Sequence, residues 1–363
     1  MAKLSLVAAL LALSAGVLGH PKTPEGIRAA LETRSRVTAH SKRALDKCAG
    51  SPAALALKER AIARRAATAD ALREKRGLKT STQRRDEAAF EHYNSISHDL
   101  TYKGYDFHTP VETIFASNTT CALVPETIIG PYYVEGELIR TDMTDGEPGV
   151  PVHLDFQFIN INTCEAVPKL LVDVWHANST GVYSGVSAPG QGGLDTSFGR
   201  GVQQSDGDGV VQFDTIFPGH YVGRTNHFHV MSTDDATVLP NGTFEGGTAR
   251  HIGQTYFDPA LIQAVEALEP YTSNKQPLTS NLDDEYGVDQ ATPEYDPFHK
   301  YVYLGDKVSD GLLLWITVGI DPAADYNENR TPAAHWHPGG GTDLSNGTQP
   351  DAGDDTDDQA CPA

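Results

Sequence analysis

The feature that most constrains the fold is a change in sequence character near residue 110. Beyond it, short runs rich in Val, Ile, Thr, Tyr and Phe alternate with clusters of Gly, Pro, Asn and Asp, a pattern typical of strands joined by tight turns. The runs that predict strands are 150–161, 169–177, 209–216, 226–233 and 312–320, with "SDGDG" at 205–209 as a hairpin-type turn. This spacing favours a mainly β protein with an antiparallel-rich β-sandwich core.

The first part of the chain predicts helices instead, because Ala, Leu, Arg, Glu and Lys dominate its composition. One helix should begin after Ser51 as N-cap, with Pro52 at its first position, and should end at Gly77. A second helix is predicted over roughly 24–47, and a further one after Ser81.

These patterns divide the chain into four segments. A helical N-terminal segment at 20–105 precedes the sandwich at 106–335, and the Gly/Asp-rich residues 336–363 predict a disordered acidic tail. Residues 1–19 predict a signal peptide, because Lys3 precedes an apolar run too short for a membrane span. We therefore expect a secreted, extracellular protein with no membrane association.

The cysteines and sequons agree with an extracellular location. In an oxidising compartment the four cysteines can form two disulfides, with three possible pairings. Cys121 and Cys164 both lie in the predicted folded region, which favours that pair and leaves Cys48 with Cys361. Glycosylation sequons are present at Asn118, Asn178, Asn241 and Asn346.

The net charge of −20 conceals a strong asymmetry along the chain. Residues 1–90 contain 18 Lys and Arg against 8 Asp and Glu, whereas the remaining residues contain 10 against 40. An acidic main body argues against nucleic acid as a partner, since phosphate binding needs a basic surface. The basic N-terminal segment can dock on the acidic body, or it can be a removable pro-segment cut at a dibasic site such as Lys42-Arg43.

A His-x-His pair in the fourth predicted strand indicates a candidate metal site. His227 and His229 project to one face of the strand, with Cα atoms roughly 7 Å apart, so that both imidazoles can reach one ion. Tyr221 and Tyr183, predicted on loops, add two phenol oxygens, and an anionic phenolate suits Fe(III) in particular. A second pair, His335 and His337, has no tyrosine companions and is interpreted as surface histidines.

Several motifs together resemble the intradiol ring-cleavage dioxygenases, in particular their secreted fungal-type branch. The motifs are "LVPETIIGPYYVEGELIRTDM" (123–143), "GEPGVPVHLDFQFIN" (146–160), "WHANSTGVYSG" (175–185), "FDTIFPGHYVGRTNHFHV" (213–230) and "GQTYF" (253–257). They occur in the family's order over about residues 120–325. The resemblance implies a β-sandwich enzyme that acts on catechol or protocatechuate-type aromatics.

The resemblance also implies a role for each site residue. Tyr183, Tyr221, His227 and His229 would be the ligands of one Fe(III) per chain, with Tyr221 as the axial tyrosinate that substrate displaces. Arg224 would stabilise negative charge on the substrate ring, and Gln254, Ile128 and Pro131 would contact the substrate. Trp175 and His176 belong to the same motif but are interpreted as scaffold.

The reaction that the resemblance implies consumes O2. A catechol-type substrate would bind through both oxygens, its ring would open between the two hydroxyl-bearing carbons, and the product would be a muconate-type diacid. The Tyr221–His227 interval is shorter than in the bacterial enzymes, and the chain has an insertion between His229 and Gln254. Because both differences affect the substrate entrance, the physiological catechol is left open, as is the choice between monomer and homodimer.

Two other functions fit part of the sequence. If the signal peptide is removed after Gly19, His20 becomes the N-terminal residue, as in secreted copper oxidases that attack polysaccharides. Alternatively, the sandwich is a secreted binding module without catalytic activity.

Overall fold

The computed structural model describes residues 36–37, 39–78, 129–284, 286 and 296–345. The predicted signal peptide, His20, Ile128, the predicted helix after Ser81, Cys121, Cys361 and the sequons at Asn118 and Asn346 lie outside these residues. The predictions made for them are therefore not addressed by the structure.

Two four-stranded sheets form the centre of the protein. The first contains β2 (Pro151–Asn160), β5 (Val210–Ile216), β10 (Lys300–Tyr303) and β11 (Leu312–Ile320), in the order β10-β11-β2-β5. The second contains β3 (Leu171–Trp175), β4 (Arg200–Gln204), β6 (His227–Asp234) and β9 (Thr248–Tyr256), in the order β4-β3-β6-β9. Within these two sheets all pairs are antiparallel except β11 with β2, so the mainly β, antiparallel-rich prediction is confirmed.

Smaller elements complete the description of the fold. These are β1 (Val134–Glu135), β7 (Thr237–Val238), β8 (Phe244–Glu245), β12 (Ala334–His335), β13 (Thr342–Asp343) and the helix α2 (Pro259–Glu266). β1, β12 and β13 form one small sheet, and β7 pairs with β8. The pairing of β13 with β12 shows that residues 342–343, assigned to the disordered tail on sequence, are structured.

Alternation along the strands explains how the sheets pack. Phe156 and Phe158 of β2 and Phe228 and Val230 of β6 are fully buried members of one core cluster. Because successive side chains of a strand point to opposite faces, these residues fill the space between the two sheets. His227 and His229 of β6 then face away from this core, onto the outer surface of the second sheet.

The outer face of the first sheet is covered by the helix α1 (Pro52–Lys75). Its N-cap Ser51 accepts a hydrogen bond from the Ala54 amide, and Gly77 after its end has a φ of 63°, as the sequence predicted. Apolar residues of α1 pack on this face, where Trp315 and Leu313 of β11 belong to the same cluster.

Ion pairs reinforce the contact between α1 and the sheet. Asp155 of β2 is fully buried and pairs with Arg64 and Arg65 of α1, each with a nearest distance of 3.1 Å. Arg60 pairs with Asp208 at the surface, at 2.9 Å. Part of the basic N-terminal segment therefore docks on the acidic body through specific charge pairs.

The structure corrects the predicted disulfide pairing. Cys48 is bonded to Cys164, with a Cα–Cα distance of 5.5 Å, so neither Cys121–Cys164 nor Cys48–Cys361 forms. The prediction assumed that Cys164 pairs within the sandwich. In the structure, the helical segment 39–48 packs Leu45 into the core cluster beside Cys164, which brings Cys48 next to it.

Within the described ranges, no helix combines the length and the apolar character needed to cross a bilayer.

Replacing Arg65 by Met should lower the free energy of unfolding by about 3 kcal/mol, because the buried Asp155 carboxylate loses one of its two cationic partners. Chemical denaturation with the disulfide intact measures the change. Arg60→Met is the matched control, since its ion pair with Asp208 is exposed and should have no measurable effect. Equal effects of the two substitutions would contradict the interpretation of Asp155 as a buried anchor.

Candidate metal centre

The histidine pair lies on the outer face of the second sheet. His227 and His229 are buried, and in register His229 stands opposite Trp175 of β3 on one side and Gln254 of β9 on the other. The Trp175 indole stacks on the His229 ring, with centroids 4.9 Å apart and an angle of 8° between the planes. Trp175, predicted as scaffold, therefore fixes the orientation of one candidate ligand.

His176 also matches the sequence interpretation. Its Nδ1 lies 2.8 Å from the Ala177 carbonyl, its Nε2 lies 2.7 Å from the Thr215 hydroxyl, and its ring packs edge-on against Phe228. It therefore lies on the core side of the sheet, away from His227 and His229.

The loop after β3 delivers Tyr183. Its backbone amide donates to the Gln191 side chain, and its buried ring packs against Tyr132, with centroids 5.0 Å apart. Gly181, with a φ of 81°, lies so close to the His220 carbonyl that a Cβ atom there would collide with it. This close approach brings the Tyr183 loop against the loop that bears Tyr221.

A hydrogen-bond network holds the Tyr221 loop on α2. His220 Nδ1 lies 2.9 Å from Glu266 Oε1, and its Nε2 lies 3.0 Å from the Gln276 carbonyl. Asn226 donates to the same Glu266 oxygen at 2.8 Å. The carboxylate raises the pKa of His220 above its ordinary value, although burial opposes this. Glu266 thus connects the residues that precede Tyr221 and His227.

The four predicted ligand atoms converge. Tyr183 Oη lies 3.0 Å from His229 Nε2 and 3.5 Å from His227 Nε2, and Tyr221 Oη lies 3.3 Å from His227 Nε2. The two Nε2 atoms are 3.1 Å apart. Donors that each lie about 2.1 Å from one ion are about 3.0 Å apart at a right angle and about 3.4 Å apart at a tetrahedral angle. The observed separations therefore fit a single ion held by two oxygens and two nitrogens.

The protonation of His227 also fits a metal ligand. Its Nδ1 donates to the Thr225 carbonyl at 2.6 Å, which leaves the lone pair of Nε2 free to bind. Burial, followed by the charge of Arg224, lowers the pKa of His227 to about 3. Burial and the neighbouring His227 lower the pKa of His229 well below its ordinary value. Both imidazoles are therefore neutral, as metal binding requires.

The phenols favour the protonated state until a cation is present. Burial, reinforced by Tyr221, raises the pKa of Tyr183 well above its ordinary value. Burial also raises the pKa of Tyr221, while Arg224 opposes the shift. A cation that binds both oxygens has to displace two protons, so its binding should tighten as the pH rises.

The donor set restricts the kinds of metal that fit. Among the described residues, no group of three or more His, Cys, Asp or Glu side chains could hold a metal ion. The candidate centre therefore depends on its two tyrosines. Two phenol oxygens and two imidazoles match a hard, highly charged cation such as Fe(III) better than a soft one.

Arg224 lies next to this centre. Its Nη1 donates to Tyr221 Oη at 3.3 Å, its Nη2 donates to Gln254 Oε1, and its Nε is 3.1 Å from Asp284 Oδ2. Although burial lowers the pKa of Arg224, the neighbouring tyrosines and Asp284 together raise it above its ordinary value. The guanidinium is therefore a fixed positive charge beside the Tyr221 oxygen. Gln254 orients it from β9.

The predicted substrate contacts are described only in part. Pro131 is exposed and lies between Gly130, which faces the His229 ring, and Tyr132, which packs on Tyr183. A Cβ atom on Gly130, whose φ is 80°, would lie 3.0 Å from His229 Cε1. This segment therefore borders the centre, and the substrate contact of Pro131 stays a prediction.

Two residues in the site were not found from the sequence. Asp284 is fully buried and accepts hydrogen bonds from Arg224 and from the Thr225 amide, and the Tyr286 ring lies 4.5 Å from the Arg224 guanidinium carbon. Although burial opposes it, Arg224 lowers the pKa of Asp284, which keeps the carboxylate ionised. Asp284 lies 60 residues from Arg224 in an acidic stretch, and no sequence pattern connects the two.

Comparison with known proteins gives one family match. Residues 128–236 match the sequence model of a family described as dioxygenase. This segment contains all four candidate ligands and Arg224. No curated protein sequence matches the chain significantly.

The chain is also similar to solved structures of dioxygenases. An intradiol ring-cleavage dioxygenase from Tetranychus urticae is 26% identical, with a TM-score of 0.48, over 57% of this chain and 98% of that one. The dioxygenase domain of a carbohydrate-binding fusion protein from Streptomyces sp. SirexAA-E is 24% identical, with a TM-score of 0.38, over 55% and 99%. Catechol 1,2-dioxygenase from Pseudomonas arvilla C-1 is 19% identical, with a TM-score of 0.38, over 58% and 67%.

Replacing Tyr183 by Phe should remove one phenolate and one displaced proton from the centre. Titration of metal-free protein with Fe(III) should release about two protons per iron in the wild type and about one in the variant, because each tyrosinate replaces a phenol. We expect iron binding to give a visible tyrosinate band, and the apparent dissociation constant for iron, measured from this band, should fall as the pH rises. The band should be lost or shifted in Tyr183→Phe. Tyr301→Phe, which removes another buried hydroxyl, is the control. An unchanged band and proton count in Tyr183→Phe would exclude this residue as a ligand.

Proposed function

We propose that this chain, whose residues 128–236 belong to the dioxygenase family, is a non-haem Fe(III) intradiol dioxygenase. Its substrate would be a catechol-type aromatic that is opened between the two hydroxyl-bearing carbons. Both atoms of O2 would enter the product, a muconate-type diacid.

The observation that carries the proposal is the convergence of Tyr183 and Tyr221 with His227 and His229 at separations of 3.0–3.5 Å. A binding module has no need for two buried phenols beside two neutral imidazoles. Leaving such groups without a cation places polar atoms against one another in a poorly solvated site. One Fe(III) per chain would satisfy all four atoms.

When bound, the ferric ion would supply Lewis acidity that favours the dianionic form of a catechol. The protein's own groups would then handle protons and orientation. Tyr221, the less enclosed of the two tyrosines, would leave the centre when substrate enters, and its Oη would accept one catechol proton. Tyr183, buried under Tyr132, would remain in place.

Arg224 would stabilise the charge that develops during the reaction. Its Nη1 already contacts Tyr221 Oη, the position that a substrate oxygen or ring edge would approach as Tyr221 moves away. Because guanidinium stays charged at any relevant pH, this stabilisation would not depend on protonation. Gln254, which accepts a hydrogen bond from Nη2, would keep the Arg224 guanidinium in this orientation. Pro131 and Ile128 remain the predicted wall of the substrate pocket.

An oxygen electrode separates an enzyme from a binding module. Iron-loaded protein should consume O2 with one or more of catechol, hydroxyquinol and plant catecholic phenolics, and the product should have gained both oxygen atoms of labelled O2. Metal-free protein is the control. Yellow semialdehyde products, which indicate cleavage outside the two hydroxyls, or the absence of oxygen uptake by red-brown iron-loaded protein, would refute the proposed reaction.

We also propose that the protein is secreted, on the basis of the predicted signal peptide 1–19 and the disulfide between Cys48 and Cys164. Of the described sequons, Asn241 is exposed, whereas the Asn178 amide donates to Glu147 at 2.8 Å. Asn241 is therefore the better acceptor for a glycan.

Expression in a eukaryotic secretory host tests the proposed location. We expect the protein in the medium, with an N-terminus at residue 20 and a glycan that Asn241→Gln removes. Asn178→Gln is the matched control and should not alter the attached glycan mass. Retention inside the cell with the first 19 residues intact would refute the proposal.

A further inference from the structure

The surroundings of Arg224 contain a carboxylate with no assigned role. Asp284 is fully buried, and its two oxygens lie 3.2 and 3.1 Å from Arg224 Nε. It also accepts the Thr225 amide at 2.7 Å and the Tyr286 amide at 2.9 Å. A single side chain therefore joins the guanidinium, the residue after it and the segment 281–286.

The direction of these contacts determines which nitrogens of Arg224 can donate hydrogen bonds to a ligand. Asp284 occupies the Nε edge of the guanidinium, Tyr286 lies over its face at 4.5 Å, and Nη1 and Nη2 point to Tyr221 and Gln254. A planar guanidinium group that is held on one edge and on one face has little rotational freedom. Nη1 is thereby directed at the candidate ligand Tyr221, and Nη2 at Gln254.

The same pairing neutralises the charge of Arg224 locally. Arg200, on the Tyr183 side of the candidate centre, has its guanidinium carbon 6.0 Å from the centre of the Tyr183 ring and lies 3.7 Å from the buried Glu137 carboxylate. Each cation thus already faces a buried acid. Repulsion by Asp284, which lies on the Nε edge, would offset part of the attraction that the guanidinium exerts on a substrate carboxylate.

We propose that Asp284 is a positioning and specificity-determining residue, which orients Arg224 for the reaction and favours catechols without an anionic substituent over carboxylated ones. This inference rests on the proposed function, since it names the substrate class of the same site. Its two parts are separable because orientation depends on geometry, whereas the preference for uncharged substrates depends on charge.

Asp284→Asn tests the charge, because the amide is nearly isosteric and keeps an oxygen for the Thr225 amide. We expect the ratio of kcat/KM for catechol to kcat/KM for 3,4-dihydroxybenzoate to fall at least tenfold. We also expect kcat for catechol to fall, because the Arg224 guanidinium loses its ion pair with residue 284 and is less well oriented. Asp283→Asn is the matched control: its side chain is exposed, contacts Ser280, and should leave both quantities within twofold.

Asp284→Glu tests how the position of the carboxylate affects the orientation of Arg224. It also replaces Asp284→Asn as the test if that variant does not fold. It retains the charge but shifts it, so kcat should fall while the preference for catechol is kept. Dissociation constants of the two ligands, from the shift of the visible band without turnover, provide a readout independent of activity. A folded, iron-loaded Asp284→Asn protein with wild-type kcat and wild-type selectivity would overturn the inference.

The same measurements distinguish the two levels of the proposal. If wild-type protein binds both ligands but turns over neither, the dioxygenase function fails, and the ratio of the two dissociation constants still tests Asp284. If wild-type protein cleaves 3,4-dihydroxybenzoate in preference to catechol, the function stands and the role of Asp284 in specificity fails.

Discussion

The structure depends above all on the alternation of side chains along β6. Phe228 and Val230 anchor the strand in the core between the sheets, and this fixes the opposite orientation of His227 and His229. A shift by one residue would exchange the two sets and place imidazoles in an apolar core. The hydrophobic packing that stabilises the sandwich is therefore the same interaction that brings the two candidate ligand nitrogens to 3.1 Å from each other.

Around that strand, the site is built from loops whose positions are set by buried polar contacts. The Tyr183 loop approaches the Tyr221 loop at Gly181, and Glu266 of α2 binds both His220 and Asn226. These contacts lie on elements far apart in sequence, so the geometry of the oxygens relative to the nitrogens is a property of the tertiary structure. The strand β6 supplies the nitrogens, whereas Tyr221, the less enclosed of the two tyrosines, lies on a loop.

The sequence predicted those parts of the fold that depend on local residue patterns. The strands around β2, β3, β5, β6 and β11 and the capped helix α1 follow from residue periodicity and from Ser51, Pro52 and Gly77, and the structure confirms them. The motifs that resemble intradiol dioxygenases lie largely within residues 128–236, which match the model of a family described as dioxygenase. The predicted disulfide pairing was wrong because no local sequence pattern indicates that the segment 39–48 packs on the sandwich. Asp284 was missed for the same reason, since its partner Arg224 is reached only through the folded chain.

The cross-link between Cys48 and Cys164 has a consequence for maturation. A protease that cut after Arg43 would leave Cys48 and α1 on the same chain as the sandwich, and the bond to Cys164 would still tie the new N-terminal end to it. Arg64 and Arg65 would still hold the buried Asp155 carboxylate. Trimming at that dibasic position would thus shorten the chain without uncovering the first sheet.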